Sequence, residues 1–394
     1  MFRRVATTLF AVSALPMSTA YAQGKDHHDG NGFKNPWPSF TSYGFAAAAR
    51  MIYSAERERP LKGVSIQDRP KPVEIDWSAL KNEKKDVITA TWLGHACILV
   101  QLNGFNILLD PIFSQRCSPV QFMGPKRYSE PPCQLKDLPP IDAIVISHNH
   151  YDHLDEHTID EVSRLNPDCK FYVPLGNKQW FNLDKPLDRH GHERVIELDW
   201  WDTAVLQRHA NGQVTAQVRL TCTPCQHFSG RGLFDRNKTL WASWCLEGLV
   251  DENTVKGKVF FGGDTGYRSL PESATPDQEY DTKYLDTLPF CPAFKEIGEK
   301  FNGFDLAFIP IGAYSPRWFM SPCHCCPEDA VRLHQDIRSK HSIGIHWGTF
   351  VLTDEHIYEP PKRLEAAMKE RGLDQKEFDV LPLGGTFVTK ATTI

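Results

Sequence analysis

The chain carries its chemistry most densely at Ser147-His148-Asn149-His150-Tyr151-Asp152-His153-Leu154-Asp155, where three histidines and one aspartate fall within six positions. Directly before it, Ile141-Asp142-Ala143-Ile144-Val145-Ile146 has the composition of a buried strand. Alternate residues of an extended backbone project to one side, so His148 and His150 can share one cation while Asp152 and His153 turn toward a second. A solvated loop accounts for any one of these residues, but poorly for the whole cluster at the end of an apolar run.

Three single residues stand in the same context. His227 comes after the strand-like run 213–221, Asp264 after Val259-Phe260-Phe261-Gly262-Gly263, and His346 after Ile343-Gly344-Ile345. Alone, each reads as a structural histidine or as turn chemistry. Their shared place at the exit of an apolar run joins them to the cluster. The seven divide into two sites, with His148, His150 and His227 on one ion, Asp152, His153 and His346 on the other, and Asp264 bridging. Nitrogen and carboxylate donors without thiolate suit zinc, with manganese or iron as alternatives.

The elements that must position these residues are short β-rich runs ended by polar turns. They fall at 88–93, 96–102, 106–109, 141–146, 170–173, 194–198, 213–221, 239–244, 255–261, 305–309, 342–345 and 378–381. Helical stretches interleave at 328–339 and 361–371, which predicts an α/β layered sandwich. The 394 residues, 41% hydrophobic and 24% charged, suffice for a large core and exclude a disordered or coiled-coil chain. Lys+Arg 44 against Asp+Glu 49 speaks against nucleic-acid binding by bulk charge.

Before this body, residues 1–22 read as a targeting peptide: Arg3 and Arg4, an apolar stretch from Val5, then an A-x-A cleavage site ending at Ala22. Secretion to a periplasmic or extracellular space is the first reading, and mitochondrial import the alternative. Residues 23–85 form an N-terminal extension with a helix through 45–53, and 86–394 the main domain, with a polar, acidic insertion at about 270–290 that reads as a surface loop. Eleven cysteines leave at least one thiol unpaired. Cys222/Cys225 and Cys323/Cys325/Cys326 read as small buried residues or one local disulfide, and less readily as halves of a structural zinc site.

The motif His148-x-His150-x-Asp152-His153, with His227, Asp264 and His346, resembles the metallo-β-lactamase superfamily. Within it, Trp92-Leu93-Gly94-His95, Asp110-Pro111-Ile112-Phe113-Ser114, Met123-Gly124-Pro125-Lys126-Arg127, Gly263-Asp264-Thr265-Gly266-Tyr267 and Ile345-His346-Trp347-Gly348-Thr349-Phe350 are similar to the N-acyl-phosphatidylethanolamine-hydrolysing phospholipase D family. The similarity starts near Asn35-Pro36-Trp37-Pro38 and runs almost to the C-terminus.

The resemblance implies a four-layer αβ/βα sandwich, two zinc ions per chain, and release of N-acylethanolamine and phosphatidic acid by a phosphodiesterase. Two metals lower the pKa of a bridging water and neutralise the phosphodiester's developing charge, so no protein nucleophile is needed. Asp152 and His324 are the expected catalytic residues, His324 binding phosphate or protonating the leaving alkoxide. Tyr151 and His324 are expected to contact substrate, Asp155 to hold the imidazoles, and Lys126 and Arg127 to meet lipid phosphate. Peripheral membrane contact is expected through Trp37, Phe40, Tyr43 and Phe45, and a homodimer is implied. The alternatives are a dinuclear hydrolase of another phosphodiester, lactone or ester, and a non-catalytic metal-binding scaffold.

Overall fold

The structure is a computed structural model that describes residues 25–81, 85–182, 192–251 and 254–393. The expected targeting peptide lies outside the described residues. A two-residue pair, β1 (His28–Asp29) and β2 (Gly32–Phe33), precedes strands from the mainly apolar runs, β3 (Val87–Gly94), β4 (Cys97–Leu102), β5 (Phe105–Leu109), β6 (Ala143–Val145), β7 (Lys170–Pro174) and β8 (Val195–Leu198). They continue as β9 (Thr203–Ala210), β10 (Gln213–Thr223), β11 (Ser243–Leu249), β12 (Val255–Phe261), β13 (Leu306–Pro310), β14 (Ser342–Ile345), β15 (Phe378–Asp379) and β16 (Thr386–Lys390). Helices are α1 (Phe45–Ser54), α2 (Trp77–Leu80), α3 (Glu156–Leu165), α4 (Thr282–Leu285), α5 (Ala293–Phe301), α6 (Arg317–Met320), α7 (Pro327–Asp336) and α8 (Glu359–Glu370).

Two seven-stranded sheets result, in the orders β16-β3-β4-β5-β6-β7-β8 and β15-β14-β13-β12-β11-β10-β9. Each is half antiparallel and half parallel, with parallel pairing from β5 to β8 and from β12 to β15. Parallel strands need crossovers, and these supply the outer helical layers. Period-2 alternation explains the layering: Ile98 and Val100 of β4 enter the core between the sheets, while Cys97 and Leu99 enter the cluster that Ile159 and Val162 of α3 close. On the far side, α5, α7 and α8 add Ile297, Val331 and Leu364 to the central core. The sandwich is the helix–sheet–sheet–helix arrangement expected.

Three local readings differ. The apolar run at 239–244 becomes a strand only from Ser243. Its first residues are buried but serve as a bracket, with Leu240 N–H donating to the Leu175 carbonyl and Trp241 Nε1 to the Cys225 carbonyl. Strands β9 and β16 went unforeseen because both are sheet edges whose outward residues are partly exposed, which weakens the apolar signal. The insertion is no free loop: it carries α4 and is stapled to α8 through Asp286–Arg371 and Thr282–Glu370 contacts.

The N-terminal segment straps across the sandwich. His27 and His28 each bond Asp199, at 2.7 and 2.9 Å, and the Trp37 ring stacks on Trp200 with centroids 5.5 Å apart. Tyr43 packs on Phe319 and Trp318. Of the four aromatics expected to face a membrane, Trp37, Phe40 and Tyr43 are half-buried and only Phe45 is free, at 90% exposed.

The core is tied to the site by Trp244 of β11, fully buried, whose Nε1 donates to the Ile146 carbonyl at 3.0 Å just before the His-rich motif. Trp244→Ala is therefore expected to lower stability by about 3–5 kcal/mol, read as a lower urea midpoint.

Candidate metal centre

The strands end at one edge of the sandwich, and each delivers polar residues there. β6 leads into His148, His150, Asp152 and His153, β10 to His227, β12 to Asp264 and β14 to His346. Close approach is built in: Gly263 has φ +56 and any side chain there would collide with Ser147. His95, Asp110 and His346 are also held at positive φ, a strained conformation for residues with side chains.

All seven expected donors converge. His148 Nε2 lies 2.7 Å from His150 Nδ1, which is 3.4 Å from His227 Nε2. Asp152 Oδ2 lies 3.4 Å from His153 Nε2 and 3.5 Å from His346 Nε2. Asp264 reaches both groups: Oδ2 is 3.1 Å from His153, 3.8 Å from His227 and 3.9 Å from His148, and Oδ1 is 3.1 Å from His346.

Hydrogen bonds alone do not satisfy this cluster. His153 Nε2, Asp264 Oδ1 and both ring nitrogens of His346 are buried without a hydrogen-bond partner. Orphaned buried donors of nitrogen and carboxylate type are what a divalent cation completes, so the residues fit a metal centre. Burial pushes His148 and His227 well below the usual imidazole range and His150 down to about 4, which leaves them neutral, the ligating form. Burial acts the same way on His346, but Asp264 and Asp152 outweigh it and hold that ring up to about 9. Metal loading must displace that proton.

A second layer orients the imidazoles. Asp110, fully buried, accepts from His153 Nδ1 at 2.6 Å and from the Ser147 backbone N–H at 2.7 Å, and Ser147 Oγ sits 2.8 Å from His148 Nδ1. His227 Nδ1 donates to the Cys323 carbonyl at 2.9 Å, and Asn35 Nδ2 donates to the carbonyl of His227 itself at 2.7 Å. His95, like Asp110, is a residue to which reading the sequence gave no role. Its Nε2 lies 2.9 Å from Asp152 Oδ2 and its ring centroid 4.1 Å from that of His346. Burial pushes it down to about 3, so as a neutral imidazole it donates to the Asp152 carboxylate. Its signal was its place at the end of β3 after a glycine, in a motif quoted for resemblance only.

A model of the beta-lactamase superfamily domain matches residues 105–347. The N-acyl-phosphatidylethanolamine-hydrolyzing phospholipase D 1 of Caenorhabditis elegans is 37% identical over 363 residues, covering 90% of this chain and 92% of that protein. The chain belongs to this phospholipase D family, within the beta-lactamase superfamily. The family's mitochondrial enzyme in Saccharomyces cerevisiae is 35% identical over 276 residues, 70% of this chain and 50% of the yeast protein. The isothiocyanate hydrolase from Delia radicum gut bacteria shares the fold, with TM-score 0.51 and 16% identity over 77% of this chain and 100% of its own.

In this member of the phospholipase D family, a metal-dependent hydrolase, the remaining expected residues take distinct places. His324 is buried between the ligand groups, with its ring centroid 5.1 Å from His227 and 5.4 Å from His346, and its Nδ1, without a hydrogen-bond partner, lies 4.0 Å from Asp264 Oδ2. Tyr151 donates its hydroxyl to the Arg231 carbonyl at 3.0 Å, and the Arg231 guanidinium covers its ring at 3.9 Å. Asp155 holds Ser114 and Thr158 rather than an imidazole, the task Asp110 performs. Arg127 is buried and braces the carbonyls of Ser114 and Ile112, so Lys126 alone of that pair faces solvent. All eleven cysteines are free and ten are buried, with no thiol in any donor cluster among the described residues. The disulfide and structural-zinc readings therefore give way to packing.

His95→Ala and Asp110→Asn are each expected to weaken metal binding about 10–100-fold, measured by chelator competition with metal content determined on the same samples.

Proposed function

We propose that this chain is a dinuclear zinc phosphodiesterase of phospholipase D type, hydrolysing N-acyl-phosphatidylethanolamine to N-acylethanolamine and phosphatidic acid. The observation that carries the reading is the set of stranded, buried nitrogen and carboxylate donors around Asp264, in a chain of this family. His148, His150 and His227 would hold one ion, Asp152, His153 and His346 the other, with Asp264 between them. Two bound zinc ions supply Lewis acidity toward phosphoryl oxygens and make hydroxide available near neutral pH.

The reaction breaks the phosphorus–oxygen bond to the N-acylethanolamine and joins a water oxygen to phosphorus. The protein's share is geometric. Asp110, Ser147 and the Cys323 carbonyl fix three rings, and His95 fixes the Asp152 carboxylate, so the donor set is preorganised. Burial pushes His324 down to about 4, so it enters as a neutral imidazole able to give an N–H hydrogen bond to a phosphoryl or leaving oxygen. Tyr151, with its hydroxyl and one ring face already engaged, acts by bracing the 229–236 loop against the metal motif.

No helix among the described residues is long and apolar enough to cross a membrane. A leader at residues 1–22 would direct the chain to a secretory or mitochondrial destination, and the yeast relative is a mitochondrial protein.

The test is hydrolysis of N-acyl-phosphatidylethanolamine vesicles with zinc determined on the same sample. About two zinc ions per chain and both products are expected. Asp152→Asn should lose activity and metal together. His324→Ala should keep the metal and lower kcat by about 10²–10⁴-fold; loss of one ion in that variant would make His324 a ligand instead. Two ions without release of N-acylethanolamine would move the substrate to another phosphodiester or ester.

A further inference from the structure

Two surface loops expose large apolar side chains beside the metal motif. In the first, residues 114–126, Phe122 is 81% and Met123 64% exposed; in the second, residues 229–238, Leu233 is 91% and Phe234 93% exposed. Such side chains in water mark a contact surface when they cluster and lack a partner.

Both loops are anchored to the site. Ser114 donates its backbone N–H and its hydroxyl to Asp155, at the end of the His-rich motif. In the other loop the Gly230 N–H donates to Asn149 Oδ1, and Arg231 Nη1 donates to the carbonyls of Asn149 and Leu154. Both loops are therefore fixed to the same short stretch, Asn149–Asp155, that carries the metal motif. Both are also preformed. Arg116 ties its loop through the carbonyls of Gln121 and Gly124, and Asp235 closes the other turn by accepting the N–H groups of Arg231 and Gly232.

Charge separates this surface from its rival. The same loops carry the exposed cations Lys126, Arg236 and Lys238 and one acidic residue, Asp235, already engaged. Arg236 is held over the Phe228 ring at 4.3 Å, and Phe228 itself packs on His150 and His227. A second exposed apolar group, Phe45, Ile52 and Tyr53 of α1, belongs to a helix paired through Arg50 with Glu272 of the acidic 270–290 segment. In a chain of net charge −5, the two loops form a locally basic rim.

We propose that the loops 114–126 and 229–238 are the surface on which this protein docks to an anionic phospholipid bilayer, with Phe122, Met123, Leu233 and Phe234 entering the interface and Lys126, Arg236 and Lys238 meeting lipid phosphates. The inference rests on the lipid reading above and names the face that presents the site to the membrane. It takes the place of the N-terminal aromatics, of which Trp37 and Tyr43 stack on the sandwich and Phe45 stands free on a helix tied to the acidic 270–290 segment. Apolar insertion supplies affinity, and the cations make it depend on anionic lipid and on salt.

The full chain is sedimented with phosphatidylcholine vesicles, with and without phosphatidylglycerol. Phe122→Ser/Met123→Ser/Leu233→Ser/Phe234→Ser should weaken binding more than about tenfold, and Lys126→Glu/Arg236→Glu/Lys238→Glu should remove the preference for phosphatidylglycerol. Phe45→Ser/Ile52→Ser/Tyr53→Ser should bind as the parent does. The apolar loop variant should keep its urea midpoint, its zinc content and its rate on a short-chain, monomeric N-acyl-phosphatidylethanolamine, so that only the interfacial step is lost. Unchanged sedimentation of both loop variants, or loss of binding in the α1 variant, overturns the docking surface. Loop-dependent binding with no N-acylethanolamine released from either substrate form leaves the docking surface standing and overturns the substrate reading.

Discussion

Asp264 is the point on which the rest of the structure depends. A carboxylate 2% exposed, facing His153, His346, His227 and His148 at 3.1–3.9 Å, belongs to a cluster that the protein alone leaves incompletely hydrogen-bonded. Burying unpaired polar groups costs stability, and folding here concentrates them instead of dispersing them. The sandwich makes that tolerable because each donor stands just beyond the buried end of a strand. The tight packing of the two sheets fixes where those ends meet, and the cation the donors await is part of the fold's own balance.

How much of this could be read in advance depended on whether the evidence was local. His148, His150, Asp152 and His153 announce themselves because they are contiguous and follow an apolar strand. His227, Asp264 and His346 were legible only through their shared position after such strands. His95 and Asp110 had the same position, but one binds a ligand's carboxylate and the other a ligand's far ring nitrogen, and such partners leave no spacing rule. Asp155, which looked the better second-layer candidate by proximity, turns away to Ser114 and Thr158 because it precedes α3. Strands with two buried faces were plain in composition, while the edge strands β9 and β16 carry mixed faces and were not.

The N-terminal strap shows a different limit. Its aromatics read as a membrane element because composition does not reveal which side of a ring is covered. Trp200 and Phe319 cover Trp37 and Tyr43, and the strap then reaches the metal centre through Asn35, whose amide holds the His227 carbonyl, and Ser39, whose hydroxyl bonds the Gln226 side chain. A segment outside the sandwich thus contributes to the placing of a ligand. The same lesson applies to the cysteines, whose spacing suggested thiolate chemistry while burial raises their thiols far above the range in which they would ionise.

The two halves of the centre are not equivalent, and their difference has a chemical direction. His148, His150 and His227 bring three neutral rings, whereas Asp152 adds a full negative charge to His153 and His346, with His95 steadying it. A donor set carrying more negative charge neutralises more of a cation's charge, so on the reading proposed above the neutral trio leaves its ion the more exposed Lewis acid. His324 comes 5.1 Å from His227 and 5.4 Å from His346, with its unpartnered nitrogen directed at the shared Asp264. On the same reading, that position would let one imidazole address a phosphate group spanning both halves.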